Sequence, residues 1–540
     1  MDPNPDLDRF DSRRSTVHAG QGMVATSQPL ATQAGVAALR AGGNAFDAAV
    51  TTAAALNVVE PMSTGIGGDV FALYRTADGD VGALRSCGGA PADATPAAVR
   101  RRVADRRGID PDAATMPHAG PLSVTVPGTV RGWERLLADH GRRSLAEALD
   151  PAIAYATEGF PVSEVIADMW TAAETLYTER DAREEYLIDG RSPETGETMR
   201  LPDLGETLQT IATGGPAAFY EGPLADRIVN AVRERGGLLA ATDLASFEPE
   251  YVDPVSTTYR GAEVYELPPN NQGLIALEAL NIAEELDAGS YAYGSADRIH
   301  YFAEALKRAF HDGHHYITDP EYEDVPPLAS KAYAAERAAT VSGRAGSVSI
   351  GGPGTPPEDS DTVLLTVADE DGNIVSFINS IFDHFGSGVV VPGTGIMLQN
   401  RGGSFTLDPD HPNRLEPGKR PFHTLIPGLV RFDRDDWAAF GVMGGYMQPQ
   451  GHLQVLANLL DYDMSLQAAL DAPRWRYCEG GSLAVEDRFP EGVLPKLARR
   501  GHDVRVRPSS AFGGGQVTRL ADGVISGATE PRKDGSAAGF

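Results

Sequence analysis

The chain has 540 residues, of which 75 are acidic and 46 are basic, giving a formal net charge of −29 and a pI near 4.8. This balance excludes the basic face that a nucleic-acid-binding protein needs, and it disfavours docking on anionic lipid. Hydrophobic residues make up 42% of the chain, which is enough for a large core. Two cysteines, Cys87 and Cys478, provide no disulfide framework.

The basic residues are almost all arginine, with 41 arginines against five lysines. An excess of acid with few lysines is typical of a surface that stays soluble in concentrated salt. Arginine-rich coding bias combined with ordinary acidity is the alternative, and it accounts for less of the net charge. We therefore predict a salt-adapted protein.

The N-terminal stretch begins with acids and holds no apolar run, and no later stretch approaches about 18 apolar residues without charges or glycines. We therefore expect neither a signal peptide nor a transmembrane segment. We also expect a cytoplasmic location and no membrane partner. The chain also lacks a P-loop, an H-E-x-x-H motif, a C-x-x-C pair and a G-x-S-x-G elbow. No cofactor is predicted.

Residues 31–41 have a helical pattern that ends at two glycines. Asn44 follows as a helix N-cap with Asp47 three residues later, which predicts a second, alanine-rich helix as far as Leu56. Residues 70–74 then form an apolar strand pattern. The middle of the chain is mostly helical, with apolar stripes over 275–286 and 299–310 that indicate faces packed on a core.

The amino-acid composition changes at residues 351–361, where glycine, proline and acidic residues predict an exposed connection without regular structure. A β-branched apolar run over 362–368, turn residues at 369–373 and a second apolar run from Ile374 predict a β-hairpin. The net charge is −25 before Thr362 and −4 from Thr362 onward. The acidity therefore belongs to the helical part.

A hydroxyl at the start of a buried strand, preceded by an accessible loop, is what an N-terminal nucleophile enzyme requires. The Thr362 hydroxyl would attack the carbonyl of Asp361, and hydrolysis of the resulting ester would free the Thr362 amine. An α-amine has a pKa of about 7.7–8.0, so it can serve as the base for its own hydroxyl. From the spacing alone, an ordinary strand start remains the alternative.

Eight segments resemble the γ-glutamyltransferase (glutathione hydrolase) family of N-terminal nucleophile hydrolases, and the Ala-Gly-Gly-Asn-Ala-x-Asp-Ala-Ala run is the most specific. They are residues 31–35, 41–50, 65–68, 126–130, 361–362, 385–388, 418–421 and 443–445. The resemblance implies an α+β fold, a four-layer αββα sandwich. It also implies self-cleavage between Asp361 and Thr362 into a helix-rich portion 1–361 and a catalytic portion 362–540, which together form one structural domain and a heterodimer.

The resemblance assigns four catalytic residues. Thr362 is similar to the family's nucleophile, and Ser380 stands where the family has a threonine that hydrogen-bonds it. Gly444 and Gly445 match the glycine pair whose N–H groups form the oxyanion hole, where a side chain would block the tetrahedral intermediate.

The family's clamp for a γ-glutamyl group is altered. Its carboxylate-binding arginine aligns near Cys87, with Arg85 two positions earlier as the candidate replacement. Its amine-binding aspartate is replaced by Ser404, and its pair of carboxylate-binding serines by His423 and Thr424. Arg401 is a further candidate for binding an acyl carboxylate, against the alternative of a surface turn.

The segment 405–420 is shorter than in well-known members, so we expect no lid over the substrate. This pattern resembles the branch that includes cephalosporin (glutaryl) acylases. We predict a γ-glutamyl acyltransferase or hydrolase that cleaves γ-glutamyl amides such as glutathione through a Thr362 acyl-enzyme. The alternatives are a glutaryl or cephalosporin-type amide acylase and a non-catalytic binding descendant of the fold.

Histidines at 311, 314 and 315 flank Asp312 and suit zinc or nickel. The patch is compact and follows a core-facing helix, so we interpret it as a solvated helix end and predict no metal site. The expected partners are a small-molecule acyl-amide substrate and the two fragments of the chain itself, without nucleic acid.

Overall fold

The computed structural model describes residues 14–346 and 362–540. The predicted connection over 351–361, Asp361 itself and the first 13 residues lie outside the described part of the chain. The helices are α1 Pro29–Arg40, α2 Ala45–Val59, α3 Pro96–Arg107, α4 Thr129–His140, α5 Leu145–Glu158, α6 Glu164–Trp170, α7 Ala173–Leu176, α8 Arg180–Tyr186, α9 Pro202–Gly214, α10 Pro216–Tyr220, α11 Pro223–Glu234, α12 Ala241–Ala245, α13 Gly273–Glu285, α14 Ala296–Tyr316, α15 Lys331–Ala338, α16 Met447–Leu460, α17 Leu466–Asp471 and α18 Val493–Arg500.

Within the described residues, the strands form two large antiparallel sheets and three small sheets. They are β1 Val17–Ala19, β2 Gly22–Thr26, β3 Asp69–Arg75, β4 Val81–Ser86, β5 Phe160–Pro161, β6 Thr198–Met199, β7 Glu250–Val252, β8 Val255–Tyr259, β9 Ala262–Glu266, β10 Val363–Asp369, β11 Ile374–Ser380, β12 Val390–Val391, β13 Ile396–Met397, β14 Gly428–Asp433, β15 Asp436–Met443, β16 Trp475–Tyr477, β17 Ser482–Glu486, β18 Asp503–Arg507, β19 Gly514–Ala521, β20 Val524–Thr529 and β21 Ser536–Gly539.

The two large sheets have seven strands each, in the orders β1-β20-β19-β15-β14-β9-β8 and β21-β2-β10-β11-β3-β4-β7. Their facing sides share one apolar cluster that includes Phe71 and Leu364 from one sheet and Leu429 and Ala439 from the other. Two stacked sheets bury such a cluster between them. A second cluster joins α1, α2 and α5 to the sheet containing β10, and a third joins α13, α14 and α16 to the sheet containing β15. The layers therefore run αββα, which confirms the predicted fold class.

Several predicted elements are present with slightly different bounds. The Asn44 side chain accepts hydrogen bonds from the backbone at the start of α2, and Asp47 bonds back to the Asn44 amide, so the capping box is complete. This helix continues to Val59, three residues beyond the predicted end, because every residue in it is buried. The predicted hairpin is β10 and β11, paired antiparallel from Val363 opposite Asn379 to Ala368 opposite Ile374.

Both proposed portions of the chain contribute strands to both large sheets. The β10–β11 hairpin lies between β2 and β3, which come from the first portion. In the other sheet, β1 at one edge and β8–β9 at the other also come from the first portion. No helix in the described ranges is both long and apolar enough to cross a membrane.

Candidate active site

Thr362 immediately precedes β10, and its side chain faces the end of β11. The Thr362 Oγ1 donates a hydrogen bond of 3.1 Å to Ser380 Oγ, which in turn accepts one of 2.8 Å from the Phe382 amide. Both side chains are buried, with exposures of 2% for Thr362 and 0% for Ser380. The strand pairing therefore fixes the position of the candidate nucleophile, and the proposed Thr362–Ser380 hydrogen bond is present.

The packing of the two sheets aligns the start of β10 with the end of β15. Leu364 lies against Gly441, where an added Cβ would meet its Cδ2 at 2.8 Å. Two residues further along β10, Thr366 hydrogen-bonds Thr518 at 2.8 Å, and Thr518 pairs with Ala439. Moving one residue towards the N-terminus of β10 therefore corresponds to moving one residue towards the C-terminus of β15. This alignment brings the start of β10 to the level of the glycines that follow β15.

Gly444 and Gly445 link β15 to α16 with φ angles of 115° and 55°, in the region that favours glycine. A Cβ on Gly444 would lie 3.1 Å from the Cα of Gly513. Neither amide N–H donates a hydrogen bond to another described residue, whereas the Gly444 carbonyl accepts one from Met447. Backbone N–H groups without partners beside a nucleophile are what an oxyanion hole requires.

A cavity of about 450 Å³ opens beside this turn and is lined in part by Gly444 and Gly513. Three of its other lining side chains, Arg476, Arg507 and Lys533, are basic. The cavity therefore borders the first glycine of the candidate oxyanion hole.

Arg401 lies in the 3-10 turn Arg401–Ser404 and is completely buried. Its Cζ is 3.9 Å from the centre of the Phe382 ring, and its Nη1 donates to Thr424 Oγ1 at 2.9 Å. The Nε and Nη2 atoms have no hydrogen-bond partner among the described residues. Burial lowers the pKa of Arg401 to about 10, so the guanidinium stays charged at neutral pH. The alternative of a surface turn is wrong for this residue.

Asp69 is a site residue that the sequence did not reveal. It pairs with Ser380 across β3 and β11, and its carboxylate accepts hydrogen bonds from Gln399 at 3.0 Å and from His423 Nε2 at 3.1 Å. Burial raises the pKa of Asp69 to about 8, although the charge of Arg401 opposes the shift. Asp69 thus neighbours Ser380 in the sheet and is influenced by the charge of the buried arginine.

The predicted clamp residues have different environments. His423 is fully buried, and its Nε2 donates a hydrogen bond to the Asp69 carboxylate. Burial lowers the pKa of His423 well below the usual value. Thr424 accepts from Arg401, and the Ser404 hydroxyl is buried without a partner among the described residues. Arg401 and Ser404 therefore belong to one turn, and Thr424 is hydrogen-bonded to it through Arg401. His423 is the neighbour of Thr424 in sequence and contacts Asp69 instead.

Arg85 is not part of this region. Its Nη1 donates to the Pro269 carbonyl at 2.7 Å, and its Nη2 forms an ion pair with Glu250 at 2.8 Å. It lines a different cavity of about 690 Å³, together with Val252 and Leu274. The prediction that Arg85 replaces the family's carboxylate-binding arginine finds no support here, because its guanidinium is committed to Glu250.

Two histidine clusters carry groups that could bind a metal ion. His311 and His315 are exposed at the end of α14, as predicted, but Asp312 between them is buried and forms an ion pair with Arg337 at 2.7 Å. His300, Glu304 and His502 are buried with ligand atoms within 4.8 Å of one another. The Glu304 carboxylate is already bound by Lys307 at 2.7 Å and Arg308 at 2.9 Å. Two cations already occupy the carboxylate that a metal ion would need.

The chain matches the family model described as Gamma-glutamyltranspeptidase over residues 31–540. It is 38% identical over 539 residues to a glutathione hydrolase-like proenzyme of Bacillus subtilis, covering 96% of this chain and 98% of that protein. It is 37% identical over 543 residues to an acylase ACY 1 proenzyme of a Pseudomonas species, covering 99% and 96%. The crystal structure of a cephalosporin acylase from Bacillus halodurans has a TM-score of 0.90 and 44% identity, covering 99% of each chain.

Proposed function

Because this chain belongs to the gamma-glutamyltranspeptidase family, we propose that it is a self-processing γ-glutamyl acyltransferase or hydrolase that works through a Thr362 acyl-enzyme. The family and the relatives are enzymes, which sets aside the alternative of a non-catalytic binding descendant. The names of two relatives include the word proenzyme. That word supports processing of this chain into two.

The processing step begins with attack of the Thr362 hydroxyl on the carbonyl carbon of Asp361. The C–O bond forms, the C–N bond between the two residues breaks, and the hydroxyl proton passes to the Thr362 nitrogen. Water then hydrolyses the ester, leaving the Asp361 carboxylate, the free Thr362 hydroxyl and the Thr362 amine. The Ser380 hydroxyl, 3.1 Å from Thr362 Oγ1, orients the attacking oxygen.

In each turnover the freed amine takes the Thr362 hydroxyl proton while Oγ1 attacks the amide carbonyl of the acyl donor. The N–H groups of Gly444 and Gly445 stabilise the oxyanion. Collapse expels the leaving amine, which takes the proton, and leaves an ester on Thr362. Water or a second amine then attacks this ester and frees the acyl group.

The buried guanidinium of Arg401 is the observation that carries the choice of acyl donor. Its Nε and Nη2 have no partner among the described residues, and the Phe382 ring that it contacts follows Ser380 by two positions. A carboxylate binds a guanidinium through two parallel hydrogen bonds. The proposed donor therefore has a short acyl chain that ends in a carboxylate, as a γ-glutamyl group does.

A glutaryl or cephalosporin-type amide acylase is the second candidate. Ser404 places a neutral hydroxyl where the family resemblance has an amine-binding aspartate, and a glutaryl group has no amine to bind. The 44% identity to a cephalosporin acylase also favours this candidate.

The test of the proposed function is a denaturing gel combined with an amidase assay. The unmodified protein should give two bands with the sizes of fragments 1–361 and 362–540. It should also hydrolyse γ-glutamyl or glutaryl p-nitroanilide. Thr362→Ala should give one band and no activity, while Thr362→Ser, which retains the hydroxyl, should give two bands. A single full-length band from the unmodified protein would contradict the proposal.

A further inference from the structure

Four side chains around the turn Arg401–Ser404 have buried polar atoms without partners among the described residues; Arg401 and Ser404 are buried, and Asp383 and His118 are half-buried. The atoms are Arg401 Nε and Nη2, Ser404 Oγ, Asp383 Oδ1 and His118 Nδ1. Buried polar groups are nearly always hydrogen-bonded in folded proteins. Such a concentration in one place indicates a site that a polar ligand completes.

These side chains are held together by Asn400, which directly precedes Arg401. The Asn400 Nδ2 donates to Asp383 Oδ2 at 2.6 Å and to the His118 carbonyl at 2.6 Å. The Asp383 amide donates back to Asn400 Oδ1 at 3.1 Å. One oxygen of Asp383 is thus fixed by Asn400, and the other has no partner.

The guanidinium of Arg401 and the carboxyl group of Asp383 form no ion pair with each other in the described part of the chain. Burial raises the pKa of Asp383, and the hydrogen bond from Asn400 and the charges of His118 and Arg401 oppose this shift. A buried charge without a partner lowers stability. A ligand with one anionic and one cationic group would pair both.

Both groups are near the candidate nucleophile. Asp383 is three residues beyond Ser380 along the chain, and the Phe382 between them contacts the Arg401 guanidinium. A ligand that places a carboxylate on Arg401 and an ammonium group on Asp383 has the charged groups of an α-amino acid. The Ser404 hydroxyl can donate to the first or accept from the second.

We propose that Asp383 binds the α-ammonium group of the acyl donor, taking over the task that Ser404 cannot perform, so that this enzyme prefers γ-glutamyl over glutaryl amides. This inference rests on the proposed function. It adds the chemical class of the donor and the residue that selects it. Ordered water molecules bound to these unpartnered atoms are the competing explanation, and they would bring no preference for an amine.

The experiment compares kcat/KM for γ-glutamyl p-nitroanilide and glutaryl p-nitroanilide, which differ only in the α-amine. The unmodified enzyme should favour the γ-glutamyl donor by at least about tenfold, which corresponds to about 1.4 kcal/mol. Asp383→Asn should lower the ratio of the two kcat/KM values at least tenfold, mainly through KM for the γ-glutamyl donor. Asp410→Asn, an exposed acid on the same portion of the chain, is the matched control and should leave the ratio unchanged.

A double variant separates recognition from a merely structural effect. In Asp383→Asn combined with Ser404→Asp, the carboxylate moves to the position where the resemblance has it, and part of the γ-glutamyl preference should return. Equal kcat/KM values for the two donors in the unmodified enzyme would overturn the inference and leave the proposed function standing. An equal loss for both donors in Asp383→Asn, without rescue, would also overturn it. An unmodified protein that is neither processed nor active on either donor would refute the proposed function itself.

Discussion

Arg401 and Arg474 are both buried arginines, but they differ in what surrounds them. Arg474 forms an ion pair with Glu530 at 2.8 Å and donates to the Phe512 carbonyl at 3.0 Å. Arg401 has one hydrogen bond, to Thr424, and no carboxylate partner among the described residues. A buried charge without a partner lowers stability. The residue is therefore better explained by ligand binding than by folding.

This contrast predicts the behaviour of Arg401→Met. Replacing an unpaired buried charge with an apolar side chain of similar length should keep or raise the melting temperature. The same change should lower kcat/KM for carboxylate-bearing donors by roughly 10- to 150-fold, since a charge-assisted contact contributes roughly 1.5–3 kcal/mol. Calorimetry and the p-nitroanilide assay measure the two effects on one preparation.

Arg474→Met is the control for this prediction. It removes a partner from the buried Glu530, so it should destabilise the protein by about 3 kcal/mol. If Arg401→Met lost as much stability as Arg474→Met, Arg401 would be a structural residue and the assignment of the carboxylate site would fail.

At the scale of elements, a pair of histidines anchors the segment that leads to the proposed cleavage site. His300 in α14 donates from Nε2 to the Ser342 carbonyl at 2.8 Å. Its Nδ1 lies 2.9 Å from Nε2 of His502, which precedes β18. Nearby, Arg500 donates to the Gly343 carbonyl at 2.7 Å. Only one of the two facing nitrogens can carry a proton, so this contact is incompatible with two charged imidazoles.

The histidine pair predicts a loss of stability in acid. Burial, with the nearby charge of Lys307, lowers the pKa of His502 to about 4. The unfolded chain binds this proton near pH 6.5, so stability is present above that pH and is lost as the pH falls towards 4. The loss amounts to about 3 kcal/mol at most. His502→Gln can still donate a hydrogen bond to His300. Its free energy of unfolding, measured in urea, should fall less between pH 6.5 and pH 4 than that of the unmodified protein.

Only the local parts of these elements could be predicted from the sequence. The capping box of Asn44 and Asp47 and the β10–β11 hairpin depend on neighbours within a few positions, so their patterns are visible in the chain. Asp69 opposite Ser380 joins residues more than 300 positions apart. Asp69 and Asp383 had no distinguishing sequence pattern, because their roles arise from burial beside Arg401. The family resemblance located Thr362 and the glycine pair, whereas the charged surroundings required the structure.

At the scale of the whole molecule, cleavage before Thr362 should not separate the two chains. The β10–β11 hairpin is inserted between β2 and β3, and the sheet containing β15 is flanked on both edges by strands of the first portion. We predict that the processed fragments elute together in native size-exclusion chromatography and separate only in denaturant. Elution of a folded 179-residue fragment alone would contradict an interleaved heterodimer.

The net charge of −29 makes a prediction about salt. Repulsion among like charges destabilises the compact state, and the Debye length falls from about 30 Å at 0.01 M salt to about 10 Å at 0.1 M. The melting temperature should therefore rise by several degrees between 0.01 and 0.3 M KCl at pH 7.5. Near the pI of 4.8 the net charge is close to zero, so the same titration at pH 5 should give a much smaller rise. An equal rise at both pH values would show that salt acts through hydration instead of charge, and the salt-adapted interpretation would lose its basis.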